Sequence, residues 1–284
     1  MHVLSIPAGT VISTNTTQNW TQFDFFSQPR PAGSGGRLVD LDDVQDGLIL
    51  WVDPTIRIFA VWSDEALSTD TQQHILNDLV RPKLLAFDGQ LVLHGGLSGT
   101  ATGAIGFIGG SGQGKSTLTA SLHETGLSLI SDDAFVVQAG TAAPRAHRLY
   151  PSLRLFPDSL SRLFPAAPVT SAVAENTDKR RVPFEVGPPE APLLALFVLA
   201  DPADTIRAER LTPAEACMEI IANSFSFDRN DPAEARGRLA RAADLARLLP
   251  VFDLHYPRDY AALSDVHACI FETLGLAPPD KASA

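Results

Sequence analysis

Two stretches of this chain hold residue types whose spacing suits chemistry. The first is Gly109-Gly110-Ser111-Gly112-Gln113-Gly114-Lys115-Ser116-Thr117, which fits the pattern G-x-x-x-x-G-K-[ST] in full. Glycines at those places let successive backbone N–H groups converge on one anion, an approach that side chains would obstruct. Lys115 would supply a point charge to the outer phosphates of an oligophosphate, and the Ser116 hydroxyl suits Mg²⁺. The second stretch is the pair Asp132-Asp133, about sixteen residues beyond Ser116. Side chains of consecutive residues at a strand end point different ways, so one carboxylate can face a metal ion while the other draws a proton from a hydroxyl. Hydrolysis of a phosphoanhydride asks only for the first of these; transfer to an alcohol asks for both. His94, at the end of the apolar run QLVLH, reads alone as a core or turn histidine. Beside the other two stretches it reads as a group that positions Asp132 or the terminal phosphate.

The flanking pattern supplies elements to position these residues. The runs QLVLHGG and GAIGFIGG read as two strands joined by LSGTAT, with a helix starting in the glycine loop and stopping at Gly126. LSLIS is the next strand and DAFVVQA continues extended, so a helix and a strand return the aspartates to the end of the sheet that carries the loop. Upstream, RLVDL, GLILWV and IRIFAVW read as strands, after a Thr-, Ser- and Gly-rich start in which Trp20, Phe23, Phe25 and Phe26 suggest partial packing. DTQQHILNDLVRPKLLAF has helical spacing with a kink or split expected at Pro82.

Residues 141–190 are broken by prolines and read as loops with one short helix near Asp158–Leu163. LLALFVLA is a buried strand. Thr212-Pro213-Ala214-Glu215 and Asp231-Pro232-Ala233-Glu234 are helix starts, the first putting Met218, Ile221 and Phe225 on one face. VFDLHY is a strand, and Pro257 opens a last helix with Tyr260, Leu263, Val266 and Ile270 on one side. Arg154 in SLRLF and the cluster Lys179, Arg180, Arg181 are candidates for offsetting charge on a moving phosphoryl group, or else a solvated basic loop that could dock an acidic peptide.

Composition bounds the rest. A net charge of −11 argues against a nucleic-acid partner, and more weakly against a membrane surface. Cys217 and Cys269 are too few and too far apart for a disulfide framework or a zinc site, and both read as core residues. With no signal-like start and no long apolar run, the expected place is the cytoplasm. Lysine is scarce, with Lys83, Lys115, Lys179 and Lys281 the whole set, so one inside the glycine loop stands out.

LVLHGG, then GAIGFIGGSGQGKST, then GLSLISDD resemble, in order and spacing, the bacterial HPr kinase/phosphorylase group. The resemblance is closer to the smaller HPr kinase-like proteins, some of them kinases that tailor lasso peptides by phosphorylating serine, than to the full regulatory enzyme. YPSLRLFPDSLSRL, KRRVPF and VFDLHYPRDYAAL fit the same pattern, so the likeness spans roughly residues 40–275. The resemblance implies an α/β fold, a P-loop kinase core with a mixed sheet flanked by helices over residues 86–278, after a small β-rich region at 1–85. It implies ATP and Mg²⁺ as cofactors, Asp132 as the base, Lys115, Ser116 and Asp133 on phosphate and metal, and His94 near the transferred phosphate; the roles of the two aspartates could be exchanged. The family's glycine–arginine–asparagine segment is not seen here, so the resemblance does not extend to the phosphorylase reaction or the hexamer, although a homo-oligomer remains compatible. The expected reaction is phosphorylation of a serine on a peptide or protein. The alternatives are a kinase for a small-molecule hydroxyl and a nucleotide-dependent switch with slow hydrolysis.

Overall fold

The computed structural model describes residues 21–22, 37–40, 49–53, 58–62, 67–139, 143–150, 153–166, 170–174 and 177–279. The aromatics of the first segment, residues 29–36 of the loop PRPAGSGGR and Lys281 lie outside them. The chain forms two compact units, Met1–Leu85 and Ala86–Ala284.

The first unit holds a sheet of β1 (Thr21–Gln22), β2 (Arg37–Asp40), β3 (Ile49–Asp53) and β4 (Ile58–Trp62), in the order β1-β4-β3-β2. Its antiparallel β3–β4 pairing sets Leu50 against Val61 and Val52 against Phe59, all buried, as a two-residue period requires. The short β1, parallel to β4, was not foreseen from its polar sequence. Ser68 caps α1 (Thr69–Ile75), which passes through a π segment, Leu76–Val80, into α2 (Arg81–Phe87). The disruption expected at Pro82 is absorbed just before it: proline has no N–H for the residue four back, and the ladder widens instead, Arg81 N–H bonding to the Leu76 carbonyl.

The second unit is built on a mixed sheet flanked by helices. Its strands are β5 (Leu91–Gly99), β6 (Ala104–Ile108), β7 (Ser128–Ser131), β8 (Ala134–Gln138) and β9 (Arg145–Arg148), then β13 (Glu190–Leu199), β14 (Arg207–Arg210) and β15 (Val251–His255). The order is β14-β15-β13-β6-β5-β8-β9, with β7 also on β5. A separate three-stranded sheet joins β10 (Leu153–Leu155), β12 (Thr177–Val182) and β11 (Ser171–Ala174). The helices are α3 (Lys115–His123), α4 (Pro157–Leu163), α5 (Pro213–Ala222), α6 (Pro232–Leu248) and α7 (Leu263–Leu274). None of the helices among the described residues is long and apolar enough to cross a membrane.

Alternation along the strands divides the core in two. Ala104 and Ile108 of β6 pack with Ala216, Cys217 and Ile220 of α5 and with Ala242, Leu245 and Ala246 of α6. Ile105 and Phe107 pack the other way, with Leu118 and Leu122 of α3 and Val266, Ile270 and Phe271 of α7. In β13 the alternation breaks once. Leu193 joins the first cluster and Ala195 the second, two residues apart, because the pairing with β6 shifts register between them.

The proline-rich stretch is not only loop with one helix, since β9, β10, β11 and β12 fall within it. These strands are three to six residues long, and arginines in β9, β10 and β12 mask the apolar alternation. On α5 the buried face is Ala216, Cys217 and Ile220, whereas Met218 is 64% exposed. The box that starts this helix forms as expected, with Thr212 N–H donating to Glu215 and Glu215 N–H donating to Thr212. Pro257 does not open the last helix: a 3-10 turn, Tyr260–Ala262, capped by Asp259, intervenes before α7. Cys217 is buried, but Cys269 is only partly so.

Candidate active site

The register around Gly95 brings the two chemical stretches together. Gly95 in β5 pairs with Ile108, the last residue of β6 before the glycine loop, and its N–H donates to the Asp133 carbonyl on the opposite side. The loop and the aspartates therefore leave the sheet at one end, two strand spacings apart. His94 precedes Gly95 and Gly96 follows it. A Cβ on Gly96 would lie 2.1 Å from Thr119 Oγ1 in α3, so this glycine lets β5 and the helix meet.

Within the loop, Gly109, Gly112 and Gly114 have φ of 149°, 79° and 88°. These are conformations that side chains resist. Gln113 folds back, its Oε1 accepting from Gly110 N–H at 2.7 Å. Lys115 opens α3 and is buried, its Nζ donating to the carbonyls of Gly109 and Gly110 at 2.8 Å each. Burial depresses its ammonium to about 8, against the opposing pull of Asp133 and Asp132. Ser111 is exposed, and Ser116 and Thr117 are partly buried on the first turn of α3. Thr117 shares a hydrogen bond of 3.1 Å with Ser159 on α4.

The aspartates occupy a tight turn between β7 and β8. Asp133 has φ of 63°, and among the described residues no other non-glycine is in the left-handed region. Aspartate tolerates that conformation better than most residues, and the turn sends the two carboxylates in different directions. Asp132 is 0% exposed. Its Oδ2 accepts from the Arg154 backbone N–H at 3.1 Å, while its Oδ1 is buried with no hydrogen-bond partner. Burial, together with the neighbouring Asp133 charge, raises its carboxyl to about 6. Asp133, 20% exposed, accepts from Arg154 Nη1 at 3.0 Å. Burial works to raise its carboxyl too, but Arg154, Lys179, His94 and Lys115 outweigh that and hold it below the ordinary value.

Arg154 is 1% exposed, on β10, with its guanidinium over the Tyr150 ring. Lys179 lies on the neighbouring β12, partly buried, with its ammonium over the Phe156 ring. Its charge acts on His94, Lys115 and both aspartates. His94 stacks on Phe225, and burial, then Lys115, lowers its imidazole to about 4, which keeps the ring neutral near pH 7.

His94, Lys115, Asp132, Asp133, Arg154 and Lys179 thus form one charge-coupled group beside the glycine loop. Two details escaped sequence reading. Arg154 clamps both aspartates, one through its backbone and one through its side chain. Tyr256, Arg258 and Tyr260 line the opposite flank of the loop; they fall within the matched stretch VFDLHYPRDYAAL, but nothing in the sequence assigned them to the site.

Among the described residues no group of three or more His, Cys, Asp or Glu is arranged to hold a metal. Mg²⁺ held with phosphates asks for less: one or two oxygen donors from protein, the rest from phosphate and water. Ser116, Asp133 and the orphaned Oδ1 of Asp132 are hard oxygen donors of that kind.

No family model and no curated protein matches the chain. Fifty-two chains of solved structures do. One is the Hpr(Ser) kinase/phosphatase from Coxiella burnetii, at 11% identity over 64% of this chain and 95% of that one, with a TM-score of 0.34.

Proposed function

We propose that this protein is an ATP- and Mg²⁺-dependent kinase that transfers the terminal phosphoryl group to a serine hydroxyl of a peptide or protein. One observation carries the reading: beside a glycine loop with a buried lysine, two adjacent carboxylates are driven to opposite acidities. Asp133, kept ionised by Arg154, suits a metal ion held jointly with Ser116. Asp132, held near 6, is ionised at neutral pH yet more basic than an ordinary carboxylate, as suits a general base. Its partnerless Oδ1 is the oxygen to accept the proton.

The acceptor proton passes to Asp132, the hydroxyl oxygen bonds to the terminal phosphorus, and the bond to the bridging oxygen breaks to release ADP. Lys115 and Lys179 offset the negative charge, and positioning supplies most of the rate. Neutral His94 adds no charge and can orient Asp132 or a phosphate oxygen. Asp133 and Ser116 would hold Mg²⁺, which would supply positive charge to offset that of the phosphates.

The peptide acceptor rests on the resemblance to small HPr kinase-like proteins, lasso peptide kinases among them. A cytoplasmic enzyme without nucleic-acid or membrane partners is the matching setting, and a homo-oligomer is compatible with it.

The exposure of Asp133 beside the full burial of Asp132 favours one variant reading, in which Asp133 faces the acceptor and Asp132 the metal. The pH dependence separates them. With Asp132 as base, kcat/KM rises through about pH 6; with Asp133 there is no such limb in that range.

The test is incubation with γ-labelled ATP, Mg²⁺ and serine peptides, free serine or no acceptor. Label on peptide supports the reading. Label on free serine alone makes it a small-molecule kinase, and label released only as phosphate makes it a slow hydrolytic switch.

A further inference from the structure

On the flank of the glycine loop away from the aspartates there is a cleft of about 240 Å³. One wall is the loop and first turn of α3, through Gly112, Gly114 and Thr117; the other is the segment after β15, through Tyr256, Arg258 and Tyr260. The walls are close: a Cβ at residue 114 would lie 3.6 Å from the Tyr256 hydroxyl. None of His94, Asp132, Asp133, Arg154 or Lys179 lines it.

A phosphate chain in the loop has two ends. The reacting end lies with Lys115 and the aspartates, so the other must leave elsewhere, and this cleft shares the loop as its wall. Its chemistry suits a planar ring joined to a polyol. The Arg258 guanidinium lies over the Tyr256 ring at 3.9 Å and donates to the Ala200 carbonyl, which fixes its plane, while the residue remains exposed. A fixed guanidinium face is a stacking platform for a heteroaromatic base. Hydroxyl contacts run from Thr117 to Ser159 (3.1 Å), on to Tyr260 (2.9 Å) and to Asp158 Oδ2 (2.9 Å), ending at an exposed carboxylate able to accept from sugar hydroxyls.

We infer that this cleft receives the nucleoside end of the nucleotide, with the base on the Arg258–Tyr256 stack and the ribose hydroxyls on Asp158. The inference rests on the proposed reading of the loop as the phosphate site. Because the base is read by stacking, purines bind above pyrimidines.

Calorimetric titration in Mg²⁺ tests this with ATP, UTP, 2′,3′-dideoxy-ATP and inorganic tripolyphosphate. The wild type should bind ATP more tightly than UTP, dideoxy-ATP or tripolyphosphate. Arg258→Ala should weaken ATP by about tenfold or more, the usual reach of base stacking, and leave tripolyphosphate within about twofold. Arg258→Lys, which keeps the charge but not the plane, should behave as the alanine variant does. Should Arg258→Ala not fold, Asp158→Asn gives an independent reading: it should abolish the gap between ATP and dideoxy-ATP. The inference is overturned if Arg258→Ala binds ATP like the wild type, or if ATP and tripolyphosphate weaken together, which would make Arg258 a phosphate contact. If the wild type binds neither ATP nor tripolyphosphate, the phosphate-loop reading itself falls and takes this one with it.

Discussion

Replacing Asp132 with asparagine should change the pH dependence of stability by a predictable amount. Raising this carboxyl from 3.8 to about 6 amounts to about 3 kcal/mol of preference for its protonated form in the folded chain. Between those values this carboxyl holds more protons in the folded than in the unfolded chain, so its own contribution to stability falls as pH rises through that window and is level above it; His94 and His267, lowered to about 4, act in the opposite sense but in both proteins alike. The Asp132→Asn change removes the titration while keeping an oxygen for the Arg154 N–H. Its new amide N–H groups, placed where Oδ1 has no partner, cost roughly 1–3 kcal/mol, but that cost does not vary with pH. The constant offset cancels in the comparison. The stability difference between variant and wild type should therefore move by about 2–3 kcal/mol in the variant's favour from pH 4 to pH 8. Urea is the suitable denaturant, because guanidinium salt would screen the charges. All three tyrosines lie in the second unit and all three tryptophans in the first, so tyrosine absorbance follows the unit that contains the site. Parallel free-energy curves for the two proteins across this range would refute the burial argument. The same variant should bind ATP but transfer phosphate about 10²–10⁴-fold more slowly.

Other perturbations report on separate links. ATP affinity of the free protein should fall as pH rises through about 8, where the depressed Lys115 ammonium loses its proton; titrations at pH 7 and 9 check this. Arg154→Met removes the guanidinium paired with Asp133 beside the fully buried Asp132 and should destabilise the second unit by about 3 kcal/mol in urea unfolding, with tyrosine absorbance as the signal. Gly96→Ala drives a Cβ into Thr119 and should cost about 1–3 kcal/mol. Combining it with Thr119→Ala should recover part of that loss, as a double-mutant cycle would show.

The strand, glycine loop and helix were legible because each depends on neighbours in sequence: apolar alternation up to Ile108, glycines at fixed offsets, then Lys115 at the helix start. The two capped helices were legible for the same reason, although the buried face of α5 was not, since it depends on where the helix docks. The short sheet of β10, β11 and β12 could not be read, because its pairing sets Arg154 opposite Arg181 across a gap dense in proline. A sequence shows that arginine as a cation of uncertain use. Only the register reveals that its main chain and side chain hold different aspartates. Tyr256 and Arg258 fell within a matched stretch, but their role was not legible: an aromatic and a basic residue two positions apart are common, and it is the fold that stacks them against a loop more than a hundred residues upstream.

The groups gathered beside the glycine loop come from two separately hydrogen-bonded sheets. His94 and the aspartates belong to the large one, whereas Arg154 and Lys179 come from the small one, which packs on α3 through Leu153, Leu155 and Val182. Part of the counter-charge at the aspartates thus comes from outside the large sheet, Lys115 on α3 supplying the rest. Because Arg154 reaches from the small sheet to both aspartates, a change within residues 153–182 would be felt at the Asp132–Asp133 turn without touching the strands that carry it.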